Sequence, residues 1–358
     1  MQENGYEVGN RAANPNLQPE RRKEFEIGAE LEFFNNRISL DFTYYNATVE
    51  NQILSLPLSA SSGYTNQTAN LGEISNDGIE ALLKFSLLRS FDGFNWDTSL
   101  NFSQNNSELT ELDDRIDQVA LGGLSTVSLV AIEGRQIALI EGSVPRTTAS
   151  GQMVVDADGI PIAASNKEVY GDTQYDYTLG VTNDFSYKNL SLGFTLDVRE
   201  GGLMYSRTAN ITRFTGNSIT TTYNDRKPFI VPNSVQVVLD ADGNESFVEN
   251  TTAVDAAHMD NYYTATALER NDVIDKSFVK LREVVLSYSL PKKILDQTPI
   301  DNVSISIIGR NLFVWTPESN QFIDPETSTF GTDLTGQFGE FSANPSTRSV
   351  GFSVKTRF

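Results

Sequence analysis

Hydrophobic and polar residues alternate with a period of two in one stretch after another of this chain. The last eleven residues show it most simply. Val350, Phe352, Val354 and Phe358 share one parity, and Ser349, Ser353, Lys355 and Arg357 share the other. Side chains of a strand point to opposite faces in turn, so this is a strand with one apolar and one polar face. Residues 24–34 repeat it, with Phe25, Ile27, Ala29, Leu31 and Phe33 against Glu24, Glu26, Glu30 and Glu32. Asn35-Asn36 is a two-residue hairpin signal because Asn tolerates positive φ. Residues 37–46 return with Ile38, Leu40, Phe42 and Tyr44 on the apolar parity. The spacing predicts further strands over 77–88, 94–103, 175–187, 190–199, 277–290 and 302–313. In 277–290 the parity slips near Glu283. Val279 and Leu281 share a face with Val284, Leu286 and Tyr288 only if one extra residue is inserted, as in a β-bulge.

The connections form a second pattern. Short ones (35–36, 89–93, 188–189, 291–300) alternate with long ones (49–73, 107–174, 203–276, 314–346). Strict alternation sends every long loop to one rim and every short turn to the other, the asymmetry of outer-membrane barrels. About nine strands result, each near the ~9–11 residues that cross a bilayer at a tilt. Aromatic residues gather near strand ends (Phe33, Phe34, Tyr44, Tyr45, Trp96, Tyr187, Tyr288, Trp315), where interfacial girdles belong. The fold expected is all-β, an antiparallel transmembrane β-barrel with long extracellular loops. On this parity the terminal strand runs down and Phe358 ends at the periplasmic rim.

Composition narrows the function. The formal charge of −20 argues against nucleic acid, which needs basic patches. No run of about 18 apolar residues exists, so no transmembrane helix is expected, while barrel strands barely register in hydropathy. There is no cysteine, hence no disulfide, zinc-thiolate or thiol nucleophile. Met1-Gln-Glu-Asn-Gly-Tyr6 has neither a basic n-region nor an apolar h-region. A membrane barrel needs a secretion signal, so the chain is expected to be the carboxyl part of something longer.

No catalytic constellation stands out, and the protein is read as no enzyme and as needing no cofactor or metal. His258 is the sole histidine, and G-x-S-x-G, P-loop and H-E-x-x-H patterns are missing. Asp156-Ala-Asp-Gly159 and Asp240-Ala-Asp-Gly243 cluster carboxylates, which suit calcium. Their spacing departs from the EF-hand loop, and a glycine-containing hairpin turn is the simpler reading. Cations on polar strand faces (Arg199, Lys280, Arg282, Arg310, Lys355, Arg357) point to the lumen by parity. They either line a substrate path or pair with acidic residues nearby. Loop aromatics such as Tyr64, Tyr205, Phe214, Phe330 and Phe341 either stack on a ligand or pack the loops.

Several segments resemble one family as an ordered set. They are Asn14-Pro-Asn-Leu-Gln-Pro-Glu20, Asp41-Phe-Thr-Tyr-Tyr-Asn46, Asn70-Leu-Gly-Glu-Ile-Ser-Asn-Asp-Gly-Ile-Glu80, Phe278-Val-Lys-Leu-Arg282, Leu286-Ser-Tyr-Ser-Leu-Pro291 and Gly309-Arg-Asn-Leu-Phe313. Together they resemble the carboxyl-terminal barrel of the SusC/RagA family of TonB-dependent outer-membrane transporters of Bacteroidetes. The resemblance implies that residues 1–358 supply roughly the last nine strands of a 22-stranded barrel, with plug and amino-terminal domains absent. It implies active import of an oligomeric nutrient, glycan or peptide, across the cell outer membrane among its lipids. It also implies three protein partners: a SusD-like surface lipoprotein over the loops, TonB through a region missing here, and the barrel-assembly machinery. The assembly signal maps to Val350, Phe352, Val354 and Phe358, with Ser353 where a glycine is usual. The competing readings are a surface adhesin without transport and a barrel lipase built on His258.

Overall fold

A computed structural model describes residues 9–124, 126–329, 331 and 334–358. The stretch Met1–Tyr6, read above for a leader, and Phe330 lie outside the described residues. The main sheet follows one path through nine strands, each hydrogen-bonded antiparallel to the next. They are β1 (Arg21–Phe33), β2 (Ile38–Pro57), β3 (Asn66–Leu88), β4 (Phe94–Leu112), β5 (Tyr177–Tyr187), β6 (Leu190–Glu200), β7 (Phe278–Ser289), β8 (Asn302–Trp315) and β9 (Ser349–Arg357). Among the described residues the sheet does not close on itself; β1 pairs only with β2, and β9 only with β8. Among the described residues, no helix is long and apolar enough to cross a membrane.

Register turns the period-two pattern into continuous rows, because directly opposed residues share a face. One row runs Leu31, Leu40, Leu83, Leu100, Val181, Leu196, Leu281, Phe313 across β1 to β8. A second runs Trp96, Phe185, Leu192, Leu286, Ile307, Phe352 across β4 to β9. A third, at the short-turn end, runs Phe94, Tyr187, Leu190, Tyr288, Ile305, Val354. Along β4 the band extends from Phe94 to Phe102, roughly 27 Å at ~3.4 Å per residue. That is close to the ~25 Å apolar belt of an outer-membrane barrel. The opposite face carries rows such as Asn95, Ser186, Ser191, Ser287, Ser306, Ser353. Tyr45 falls on this polar face, opposite Gly78, and its hydroxyl donates to Asn105; it is removed from the aromatic girdle.

The bulge expected near Glu283 is present. Thr195 opposes Glu283 and Leu196 opposes Leu281, so Arg282 is the extra residue. Across the other ladder Leu281 pairs Phe313 and Glu283 pairs Arg310, with Asn311 at φ 51° taking up the slack. The turn after β1 puts Phe34, Asn35 and Asn36 all at positive φ.

The connection expected over 49–73 is mostly strand. β2, β3 and β4 continue past the apolar band, and the loop between β2 and β3 shrinks to 58–65. Above the band Leu56, Ala69, Leu71, Leu109 and Leu112 bury against Val119, Ala131 and Ile137. In the next connection, expected to be polar loop, Gln118–Gly123, Ser128–Ile132, Leu139–Pro145 and Ala163–Asp172 form a four-stranded sheet. Two further clusters of buried apolar residues lie in the connections, one around Leu129, Ile140 and Phe338, the other around Val155, Phe229 and Val254. The aspartate-rich repeats are turns. Asp156 Oδ1 accepts from the amides of Asp158 and Ile160, and Asp240 Oδ1 from those of Asp242 and Asn244. Gly159 and Gly243 follow at φ 78° and 85°. The strands that lead into the two turns are partners, Met153–Val155 pairing in parallel with Ser234–Gln236.

Three clusters of buried apolar residues thus lie above the wall, while the apolar band of the wall itself is left largely uncovered. Phe352 is 81% exposed, and Leu286, Ile305 and Ile307 are exposed beside it. Each such side chain forgoes about 1.5–3 kcal/mol by staying in water. An apolar band this continuous, left bare across neighbouring strands, suits a second, apolar solvent.

Candidate functional site

The bulge in β7 and the end of β6 bring Arg199, Lys280 and Arg282 together on the polar face. A single buried phenyl ring, Phe278 (2% exposed), sits among them. Its centroid lies 5.4 Å from the Arg199 guanidinium, 4.8 Å from Lys280 Nζ and 5.7 Å from the Arg282 guanidinium. Three carboxylates balance the three cations. Lys280 donates to Asp324 and Glu326, at 2.5 Å each. Arg282 donates through Nε to Asp197 at 3.0 Å and through Nη2 to Glu326 at 2.5 Å. Arg199 pairs with Glu326 at 3.1 Å and lies 3.6 Å from Asp197. Asp197 is on β6, whereas Asp324 and Glu326 belong to the connection between β8 and β9. The cluster fastens that connection to the wall.

Burial pushes the Glu326 carboxyl up, but hydrogen bonds from Arg282 and Lys280 outweigh it and hold the group below the ordinary glutamate range. Asp324 is held low in the same way, burial being outweighed by Lys280 and Ser346. Glu340 anchors the far end of the same connection. Fully buried, it accepts from Ser206 Oγ (2.7 Å), Thr208 N (2.8 Å), Thr208 Oγ1 (2.9 Å) and Ala343 N (3.0 Å). It thereby sits at the N-terminus of helix α1 (Arg207–Phe214), where a negative charge meets unpaired amides.

Of the six cations singled out from the sequence, three are thus consumed in one network. Arg310 pairs with Glu283 across β7 and β8 at 2.8 Å. Lys355 and Arg357 lie on the same polar face of β9, opposite Ser304 and Asn302, exposed and without a carboxylate partner among the described residues. Val350, Phe352 and Val354 project from the apolar face of β9, and Phe358 follows its last residue. His258 is exposed, with Nδ1 2.8 Å from Asp255 Oδ1, whose carboxylate raises its pKa. Asp197, Asp324 and Glu326 escaped the sequence reading because their partners are fixed by the bulge and by a docked loop.

The comparisons fit this geometry. A family model for the TonB dependent receptor-like beta-barrel matches residues 2–157. TonB-dependent receptor P3 of Formosa agariphila is 26% identical over 96% of the chain and 35% of its own length. SusC of Bacteroides thetaiotaomicron is 24% identical over 54% of the chain and 21% of its own length. The chain is similar over almost its whole length to TonB-dependent receptors, and over 54% of it to SusC. Like its SusC/RagA relatives it is an outer-membrane protein. The solved RagAB peptide transporter superposes with a TM-score of 0.65 at 21% identity, covering 95% of the chain and 36% of that structure. The chain spans about a third of the length of the receptor P3 and RagAB chains it matches.

Proposed function

We propose that the protein imports an oligomeric nutrient, a glycan or a peptide, across the outer membrane in a TonB-dependent way. The nine strands supply roughly the last part of a 22-stranded wall whose other strands pair with the open edges of β1 and β9. The polar rows face a lumen, and Arg310, Lys355 and Arg357 line it. The packed connections form the outer vestibule on which a SusD-like lipoprotein sits as a lid. β9, ending in Val354 and Phe358, is the strand read by the barrel-assembly machinery. Bond chemistry plays no part. The observation that carries this reading is the bare apolar band, continuous from strand to strand, beneath connections that hold buried apolar clusters of their own. RagAB, described as a peptide transporter, favours a peptide among the candidates.

Deleting the gene in its host and supplying fluorescent oligosaccharides and peptides tests it. One class of oligomer is expected to stop entering the cells, and to stop equally when an uncoupler dissipates the inner-membrane gradient. Unchanged uptake with lost attachment to surfaces would instead identify an adhesin.

A further inference from the structure

Four residues before Lys280, another lysine is just as buried and has none of its partners. Lys276 is 6% exposed, against 4% for Lys280. Lys280 holds two carboxylates; among the described residues no oxygen accepts from Lys276 Nζ. Its place is built rather than accidental. The side chain runs over the backbone of Gly202, whose φ is 77°, and a Cβ there would stand 2.4 Å from Lys276 Cε and 2.7 Å from the Gln174 carbonyl. The Lys276 amide donates to the Gly202 carbonyl at 3.0 Å. The ammonium rests 4.1 Å from the centroid of the Tyr175 ring. A cavity of ≈ 410 Å³ opens beside it, lined by Tyr175, Arg199, Met204, Lys276, Glu326 and Gln337 among others. It sits where the outer connections meet the top of the wall.

A buried ammonium without an acceptor is costly, and chains keep such groups paired. The two carboxylate oxygens of Glu326 already serve Lys280, Arg282 and Arg199. Asp172 lies near enough to raise the Lys276 pKa but does not accept from its Nζ, so among the described residues the ammonium faces the cavity without a hydrogen-bond acceptor. A carboxylate supplies that acceptor with one charge, whereas Glu326 and Asp172 close by disfavour a dianion. We propose that this cavity is a subsite for one carboxylate group of the ligand, received by Lys276. The proposal rests on the import reading for the nature of the ligand, but not for the subsite itself. The carboxylate belongs either to the C-terminus of a peptide or to a uronic acid residue of a glycan.

The titration of Lys276 adds a handle. Burial pushes its ammonium down to about 8, Asp172 pulls it up and Arg199 pushes it further down. The groups around it are Asp172, Tyr175, Arg199, Glu326 and, over Gly201, Asp176. The Tyr175 phenol is pushed up to about 12 by burial, so it stays neutral throughout this range. Only the protonated lysine receives a carboxylate. Between pH 7 and pH 9 the competent fraction falls about tenfold, and affinity with it.

Equilibrium binding to the intact detergent-solubilised protein tests this with two matched pairs: one peptide with a free or amidated C-terminus, and one oligosaccharide with or without uronic acid. In one pair the acid is expected to bind at least about tenfold tighter than its neutral analogue at pH 7. That preference collapses at pH 9 and in Lys276→Gln, and survives in Lys276→Arg. Equal binding of acid and neutral members in both pairs overturns the subsite, and so does an acid preference unchanged in Lys276→Gln. The free-versus-amidated comparison needs no variant, so a misfolded Lys276→Gln does not spoil it. If neither oligomer class binds, the import reading fails, and acetate decides the subsite alone. Saturating acetate raises the titration midpoint of ¹³C-methylated Lys276 if the subsite is real, and leaves it unmoved if it is not.

Discussion

Arginine in place of Leu196 lowers the unfolding free energy of the protein in lipid by about 2–4 kcal/mol, the cost of a cation at mid-depth on a lipid-facing strand. Arginine in place of Thr195, one residue away, changes it by less than about 1 kcal/mol, as expected of a solvated charge. Leu196 stands between Val181 and Leu281 in the apolar band, and Thr195 lies between Thr182 and Glu283 on the polar face. Guanidinium titrations of the intact protein in thin bilayers read both. Similar losses at the two positions would mean that both faces meet the same solvent.

The second large effect is expected at Glu326. Its two oxygens hold Lys280, Arg282 and Arg199 at once. Glu326→Gln leaves those cations facing a neutral group; breaking a fully buried pair costs about 3–5 kcal/mol, and this part-buried cluster is expected to lose about half of that. The loss falls on the docking of residues 316–348, because the strand ladders of β6 and β7 do not depend on Glu326. Hydrogen exchange should therefore rise across 316–348 and stay low in β7 and β8. Acid does the same reversibly. The folded-state pKa of Glu326 is depressed, so its contribution is fully present above the unfolded value near 4.3. It is lost as pH falls below that value through the folded one, together with the contribution of Asp324. A loop that stays docked in Glu326→Gln would reduce the cluster to incidental surface pairing.

The wall was legible because its two faces meet different surroundings, which forces a strict alternation. Leu190, Leu192, Phe194, Leu196 and Val198 on β6 leave no other register. Even the bulge at Arg282 could be read, because an inserted residue shifts the parity of everything after it. Legibility stops where the surroundings become uniform. Above the apolar band β2 and β3 continue as strands through Asn51, Gln52, Asn66 and Gln67, polar residues that break the alternation before the short apolar stretches Leu54–Leu56 and Ala69–Leu71. The connections hid their sheets for a related reason. Their short strands, such as Met153–Val155 and Ser234–Leu239, find partners tens of residues away. The pairing of Lys280 and Arg282 with Glu326 spans a similar distance and depends on where one loop folds back. The cations were visible in the sequence; what neutralises them was not.

A spin-label walk from Ser191 to Val198 along β6, in the intact protein reconstituted into bilayers, puts the two-faced wall to the most direct test. Labels replacing Leu192, Phe194, Leu196 and Val198 should be relaxed by oxygen, which concentrates in lipid. Those replacing Ser191, Gly193, Thr195 and Asp197 should respond instead to a water-soluble nickel chelate. Uniform protection of the even-numbered positions from both reagents would place them inside a packed sandwich and contradict a membrane wall.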